Sequence, residues 1–238
     1  MSNTVRTVAE TGSTNADMLA LAASGAAEGL WLRADRQVSG RGRQGRVWVS
    51  PVGNLSATTL VKLRPTDPSA ATLALVAAVA AEEAVSVYLP CDGGTVVIKW
   101  PNDLLIDGAK VSGILLERAD DAVVIGIGVN LAHHPEGLDR PTTSLATHGV
   151  TPDPAQFIET LAESFARWLA RWRGEGIVPV RSRWLERAHP VGTALTAACP
   201  DGSMIDGLFQ GLDADGALVL RLADGRTRVI HAADIFLI

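Results

Sequence analysis

The stretch that most restricts the fold runs from Pro68 to about Val87, which is alanine-rich and hydrophobic nearly all round. A helix that is apolar on every side cannot lie on a surface, so this one is expected to be buried by the rest of the chain. With 238 residues, 47% of them hydrophobic, the chain has apolar material for one sizeable core plus a small second unit. No segment reaches the roughly 18 unbroken apolar residues of a membrane span, and the amino terminus lacks the basic-then-apolar pattern of a signal peptide. The expectation is a globule in the cytoplasm with no membrane partner.

Around that helix the pattern alternates between strands and helices. Val5 to Glu10 reads as a short strand, and Ser13-Thr14-Asn15-Ala16-Asp17 as a capped start of a helix running to Gly25. Leu30 to Ala34 and Leu55 to Leu63 read as strands. Val96 to Ile98, Leu104 to Ile106, Val111 to Glu117 and Val123 to Asn130 are β-rich runs broken by Asn-Asp, Asp-Gly and Asp-Asp turns, suggesting a meander or hairpins. Pro154 to Arg173 places Phe157, Ile158, Leu161, Phe165, Trp168, Leu169 and Trp172 at the spacing of one helical face. A further short helix is expected over Pro179 to Ala188. Beyond Pro190-Val191-Gly192 come short strands separated by Asp-Gly turns, a small antiparallel barrel or sandwich too short to stand alone and so expected to dock. The predicted division is residues 1–189 and residues 190–238.

Gln37 to Arg46 forms a loop with three arginines, Arg41, Arg43 and Arg46, separated by glycines that let the backbone approach a ligand. Guanidinium forks and glycine-lined amides suit phosphates or carboxylates; the bland alternative is a solvated flexible loop. Gly40, Gly42 and Gly45 satisfy the dinucleotide fingerprint as text, but that motif must open a helix, and Val47 to Pro51 is a β-rich run ending in proline. Lys99-Trp100-Pro101-Asn102-Asp103 presents an aromatic, an amide and a carboxylate beside a strand end, and Lys110 returns after the Asp107-Gly108 turn. Asp103 and Lys110 are therefore expected to meet, either in a site or as an ordinary surface pair. Lysine occurs only at positions 62, 99 and 110 in an arginine-rich chain, a hint that a compact ammonium is wanted there. The formal charge of −5 argues against a general nucleic-acid binder. Cys91 and Cys199 have no metal-ligand spacing and read as buried small apolar residues, not as a disulfide.

Ser13-Thr14-Asn15, Gln37 with Gly40 to Arg46 and Trp48, Lys99 to Asp103, Lys110 to Glu117 and Gly126 to Asn130 occur in the order and spacing of biotin–protein ligases, and the chain resembles that family over nearly its whole length. The resemblance implies an α+β fold, a mixed β-sheet covered by helices in the class II synthetase-like arrangement of biotin and lipoate ligases, with a small SH3-like barrel at the carboxyl end. It implies activation of biotin by ATP, with Mg²⁺, to biotinyl-5′-AMP, and transfer to a lysine of a biotin carboxyl carrier protein of acetyl-CoA carboxylase or a related carboxylase. Ser13, Thr14, Asn15, Gln37, Arg41 and Gly42 would surround the biotin ring, with Trp48 and Gly113 as apolar wall. Arg43, Arg46 and Lys110 would hold the biotin carboxylate and the nucleotide phosphates, and Asn130 would face the adenine. Lys110, Arg43 and Asp103 are the expected catalytic set, Asp103 either accepting a proton from the acceptor lysine or orienting Lys110. Metal ligands are left unassigned.

The catalytic segments begin almost at Met1, so the resemblance is to the monofunctional type, and no DNA partner is expected. No aromatic stands in Pro141-Thr142-Thr143-Ser144 to close over an adenine. Val111 to Leu116 is read as an exposed strand on which a second copy or the carrier would pair, giving a possible homodimer. The nearest rival activity is a lipoate–protein ligase or octanoyl transferase, disfavoured by the arginine loop and the Lys99 to Asp103 segment. A noncatalytic nucleic-acid module is disfavoured by the acidic balance and by the lack of interleaved aromatics.

Overall fold

Alternation in the central strands sorts their side chains into two sets. Trp31, Val61, Val123 and Ile125 belong to the large apolar core, whereas their neighbours Leu32, Leu60 and Val124 pack with Met18 in a second, smaller cluster. A strand alternates faces residue by residue, so a sheet buried on both sides gives this division. The computed structural model describes residues 4–138 and 140–237.

The sheet has seven strands: β1 (Thr4–Thr11), β2 (Leu30–Gln37), β3 (Leu55–Lys62), β4 (Val96–Lys99), β5 (Asp103–Ile106), β6 (Ala109–Ala119) and β7 (Ala122–Val129). Their order is β1-β2-β3-β7-β6-β5-β4, with β1 parallel to β2 and the other pairs antiparallel. The expected meander from β4 to β7 is present. Helix α1 (Thr14–Ala23) covers the face with the smaller cluster. Helices α2 (Leu73–Tyr88), α3 (Pro154–Glu175) and α4 (Ile177–Glu186) lie on the other.

The apolar helix of the sequence, α2, is at the centre of the large core, with Leu73, Val76, Val79, Ala80 and Val85 fully shielded. The only described helix long and apolar enough to cross a membrane is Ala70–Tyr88, which includes it and is largely buried inside the protein. Its one fully buried charge, Glu82, accepts from Arg183 of α4 at 2.8 Å and lies 3.3 Å from Arg187. Burial pushes the Glu82 carboxyl up, against the pull of Arg183 and Ser86.

Residues beyond 190 form β8 (Ala194–Ala198), β9 (Met204–Leu212), β10 (Leu218–Arg221), β11 (Thr227–Ile230) and β12 (Asp234–Leu237). They make an antiparallel sheet in the order β11-β10-β9-β8-β12, and among the described residues no pairing joins the outer strands into a closed barrel. Leu195, Phe209, Leu218, Leu220 and Ile235 are part of the same apolar cluster as α2, so this sheet docks on the main unit. Trp100 reinforces the junction by donating its indole N–H to the Gly216 carbonyl at 3.1 Å.

Three expectations need correction. β6 is an interior strand: β5 and β7 flank it, Val111 and Ile114 are buried, and only the part beyond Gly113 lacks a neighbour on the β5 side. Cys91 is exposed and Cys199 half-buried; Cys91 follows Leu89-Pro90 in a turn outside the core. Val47 to Pro51 is no regular strand, making only the isolated bridges Arg41 to Val47 and Gln37 to Ser50, because the loop closes mainly on itself.

Candidate active site

The site begins at the first turn of α1. Ser13 caps the helix, its hydroxyl accepting from the Ala16 amide at 3.5 Å. Thr14 donates from its amide and its hydroxyl to Gln37 Oε1 at 2.8 and 3.0 Å, and Gln37 in turn donates to Ser50 Oγ at 2.9 Å. Asn15 donates to Glu117 Oε2 at 2.7 Å, and the Thr58 hydroxyl lies 2.8 Å from both Asn15 Oδ1 and Thr14 Oγ1. Ser13, Thr14, Asn15, Ser50 and Thr58 are all buried, so their polar atoms hold one another at one end of a cleft.

The floor is made by missing side chains. Gly113 of β6 pairs with Gly128 of β7, and Gly126 faces the same way as Gly128. A Cβ on Gly128 would overlap the Trp48 indole, one on Gly126 would overlap the Asn15 amide, and one on Gly113 would stand 3.1 Å from both Trp48 Cζ3 and Lys110 Nζ. Trp48 thus lies directly against backbone, as the expected apolar wall. It is held there because its amide donates to the Gly40 carbonyl at 2.9 Å. Gly40 itself leaves no room for a Cβ, which would sit 2.5 Å from the Trp48 carbonyl oxygen.

Lys110 and Asp103 do meet, with Nζ 2.5 Å from Oδ1, and both are buried, so this is no ordinary surface pair. The cause is a β-bulge. Asp103 pairs with Gly113 and Leu104 with Ser112, but Leu105 pairs with Lys110, so Val111 is the extra residue. Regular alternation would put Lys110 and Gly113, three positions apart, on opposite faces; the bulge puts both toward the cleft. Burial lowers the Lys110 ammonium's pKa below its ordinary 10.5, helped by Arg140 and Lys99 and opposed by Asp103. Lys99 is likewise lowered, chiefly by burial.

The arginine loop forms the other wall. Arg43 Nη1 donates to Asn102 Oδ1 at 3.3 Å and to the Ala233 carbonyl at 3.5 Å, and lies 3.8 Å from Asp234 Oδ1. Arg46 donates to Gln44 Oε1 at 2.9 Å and pairs with Asp234. Arg41 is exposed at the rim beside Gly42. The resulting cleft encloses about 710 Å³ including the space of its open mouth. Arg41, Arg43, Arg46, Lys110 and Arg140 line it against only Asp103 and Asp234, a surplus of three positive charges in a chain whose formal charge is −5. Such a cleft can draw two anions together and lower their mutual repulsion.

All the predicted site residues but one therefore line a single cleft. The exception is Asn130, whose amide donates to the Thr143 carbonyl at 3.0 Å and which is buried away from the cleft. The sequence reading missed Thr58, Arg140 and Asp234. Arg140 follows the quoted segments without a motif of its own, and Asp234 lies 188 positions from the Arg46 it pairs with, too far for any local signal.

The family model "Biotin/lipoate A/B protein ligase family" matches residues 11–130, and "Biotin protein ligase C terminal domain" matches residues 196–238. A biotin–[acetyl-CoA-carboxylase] ligase of Paracoccus denitrificans is 41% identical over 96% of this chain and 98% of its own length. That of Mycobacterium tuberculosis is 35% identical over 96% of this chain and 86% of its own length. In fold, the chain is similar to a biotin protein ligase from Aquifex aeolicus in complex with biotin and ATP, with a TM-score of 0.87, 23% identity and full coverage of both chains.

Proposed function

The chain belongs to the biotin/lipoate A/B protein ligase family, and from that premise we propose that it activates biotin as biotinyl-5′-AMP with ATP and transfers it to a carrier lysine. The acceptor is the biotin carboxyl carrier of acetyl-CoA carboxylase or of a related carboxylase. The observation that carries this reading is the polarity of the cleft: a hydrogen-bonded end of Ser13, Thr14, Asn15 and Gln37 suited to the ureido ring runs along a glycine and tryptophan floor into a buried ammonium and the arginine loop. Residues 1–189 form the catalytic unit and residues 190–238 the accessory one, whose Asp234 reaches the cleft.

Biotin would place its ring among Ser13, Thr14, Asn15, Gln37, Arg41 and Gly42, its aliphatic part on Trp48 over Gly113, and its carboxylate toward Lys110. Two anions about 4 Å apart repel by about 4 kcal/mol at an intermediate dielectric, so cations at the contact are part of the chemistry. Lys110, Arg43 and Arg46 supply them. The carboxylate oxygen forms a bond to the α-phosphorus, and pyrophosphate departs with the electron pair of the broken bond. In the second step the carrier amine attacks the carbonyl carbon and AMP leaves; Asp103, which orients Lys110 beforehand, would take the ammonium's proton once Lys110 has turned to phosphate. Asn130, turned toward Thr143, supports the adenine side through backbone and not by direct contact. Mg²⁺ would be held mainly by the nucleotide phosphates, with Asp103 the carboxylate beside them, and would supply further neutralisation of their charge. Residence in the cytoplasm, where ATP is supplied, is part of the same proposal.

The direct test is calorimetric titration with biotin and then ATP, alongside ATP–pyrophosphate exchange with biotin or lipoate as the acid. Biotin should bind and support exchange where lipoate does not, and Arg41→Ala should weaken biotin by about 10-fold, the worth of one charged hydrogen bond. Absence of heat with biotin, or exchange with lipoate alone, refutes the assignment.

Arg43 also bears on retention of the intermediate. Its guanidinium is positioned between Asn102 and the Asp234 end of β12, facing the phosphate region. Arg43→Gly should release biotinyl-AMP faster by about 10²-fold, the scale of one phosphate-directed fork, and label bystander proteins. A release rate equal to wild type in a filter-trap assay would remove Arg43 from that role.

A further inference from the structure

Asp103 faces more positive charge than one carboxylate can neutralise. Lys110 takes Oδ1, Arg140 Nη1 stands 3.6 Å from Oδ2, and Lys99 is close enough for Asp103 to pull its pKa upward. Buried or half-buried cations are costly to leave in surplus, so a site built this way is poised for a polyanion. The backbone beside Arg140 is tied to that of Lys110. The Lys110 amide donates to the Pro141 carbonyl at 2.9 Å, and the Thr143 amide donates back to the Lys110 carbonyl at 2.9 Å. The residue after Arg140 is thereby clamped to the backbone of Lys110 itself, and Arg140 lines both the cleft and the adjoining groove beside Lys99 and Asn102. Its charge is felt at Lys110, whose pKa it lowers.

Resting on the ligase reading above, we infer that Arg140 binds the β- and γ-phosphates of ATP and stabilises the departing pyrophosphate, exchanging Asp103 for that anion during adenylation. As the biotin carboxylate oxygen bonds to the α-phosphorus, the bond to the bridging oxygen breaks and that oxygen keeps the electron pair. The new charge falls on pyrophosphate, toward the mouth where Arg140 stands, and no proton is required. Arg43 and Arg46 are engaged with Asp234 and Lys110 with Asp103 Oδ1, so Arg140, which lines both the cleft and the adjoining groove, adds a cation for the leaving group beyond those three. When pyrophosphate leaves, Arg140 returns to Asp103.

Arg140→Ala and Arg140→Lys separate this role from a merely structural one. In biotin-dependent ATP–pyrophosphate exchange, Arg140→Ala should lose about 10²-fold in rate, with the KM for pyrophosphate raised, and Arg140→Lys should recover part of the loss. Calorimetric affinity for biotin should stay near the wild-type value, and single-turnover transfer from supplied biotinyl-AMP to the carrier should fall far less than exchange. Exchange by Arg140→Ala at the wild-type rate overturns the inference. So does an equal loss in exchange and in transfer, which would assign Arg140 to Asp103 alone. Wild-type protein that fails to exchange at all refutes the ligase reading instead, and the inference with it.

Discussion

Lys110→Ala should abolish most adenylate formation, lowering the rate of biotin-dependent pyrophosphate exchange by about 10²–10³-fold, the usual cost of removing one charge-stabilising donor from a closed site. The ammonium is the buried cation that faces the glycine floor where the carboxylate would end. Its loss leaves Asp103 without its closest partner. Arg140 remains 3.6 Å away, so the carboxylate is not stranded and a thermal melt should still show a cooperative fold. The same lysine sets the alkaline side of the pH profile. Because burial lowers its pKa, the positive charge is lost below the ordinary 10.5, and exchange should decline at a lower pH than for an exposed lysine. Lys110→Arg, always charged, should move that limb upward even at reduced rate. Exchange near normal in Lys110→Ala would remove this side chain from the chemistry.

The second large effect needs no charge. Gly126→Ala adds one methyl where Asn15 Oδ1 lies, and Asn15 is fixed by Glu117 and Thr58. Overpacking of this kind costs about 1–3 kcal/mol, or roughly 5- to 150-fold in a dissociation constant, and the asparagine can move only into the space proposed for biotin. Biotin affinity measured by calorimetry should fall within that range. Gly174→Ala, in α3 with open space around the glycine, is the control and should leave binding intact. Equal affinity in Gly126→Ala and wild type would show that the Asn15 end of the cleft does not carry the ring.

How much of this was legible follows from the range of the forces involved. The apolar stretch from Pro68 could only be a buried helix, and α2 is one, because hydrophobic burial depends on composition more than on partner. The arginine loop, the Ser13 cap and the Asp107-Gly108 turn were legible because each is set by neighbours in sequence, down to the positive φ of 49° and 83° at the turn. Asp103 and Lys110 were placed together by that same hairpin. The pairing of Arg43 and Arg46 with Asp234 was not, since it depends on docking a separate sheet. Nor was Cys91: the small apolar character of a thiol says nothing about whether a turn will carry it outside. Asn130 sits at the expected strand end, yet its amide satisfies the Thr143 carbonyl, a partner from a loop without a pattern.

The extra residue in β6 makes chain length itself a constraint. On one side of Val111 the strand reads with odd positions toward the cleft, on the other with Lys110 toward it, so the hairpin carries a frame change written into its backbone. Straightening the bulge with every residue kept would instead put Lys110 and Gly113 on opposite faces and rotate the ammonium into the apolar layer around α2. The result would still satisfy every local preference of a strand. Length and bulge are therefore tied: with two residues between Lys110 and Gly113 the ammonium reaches the cleft only through the bulge, and with one it would do so on a regular strand.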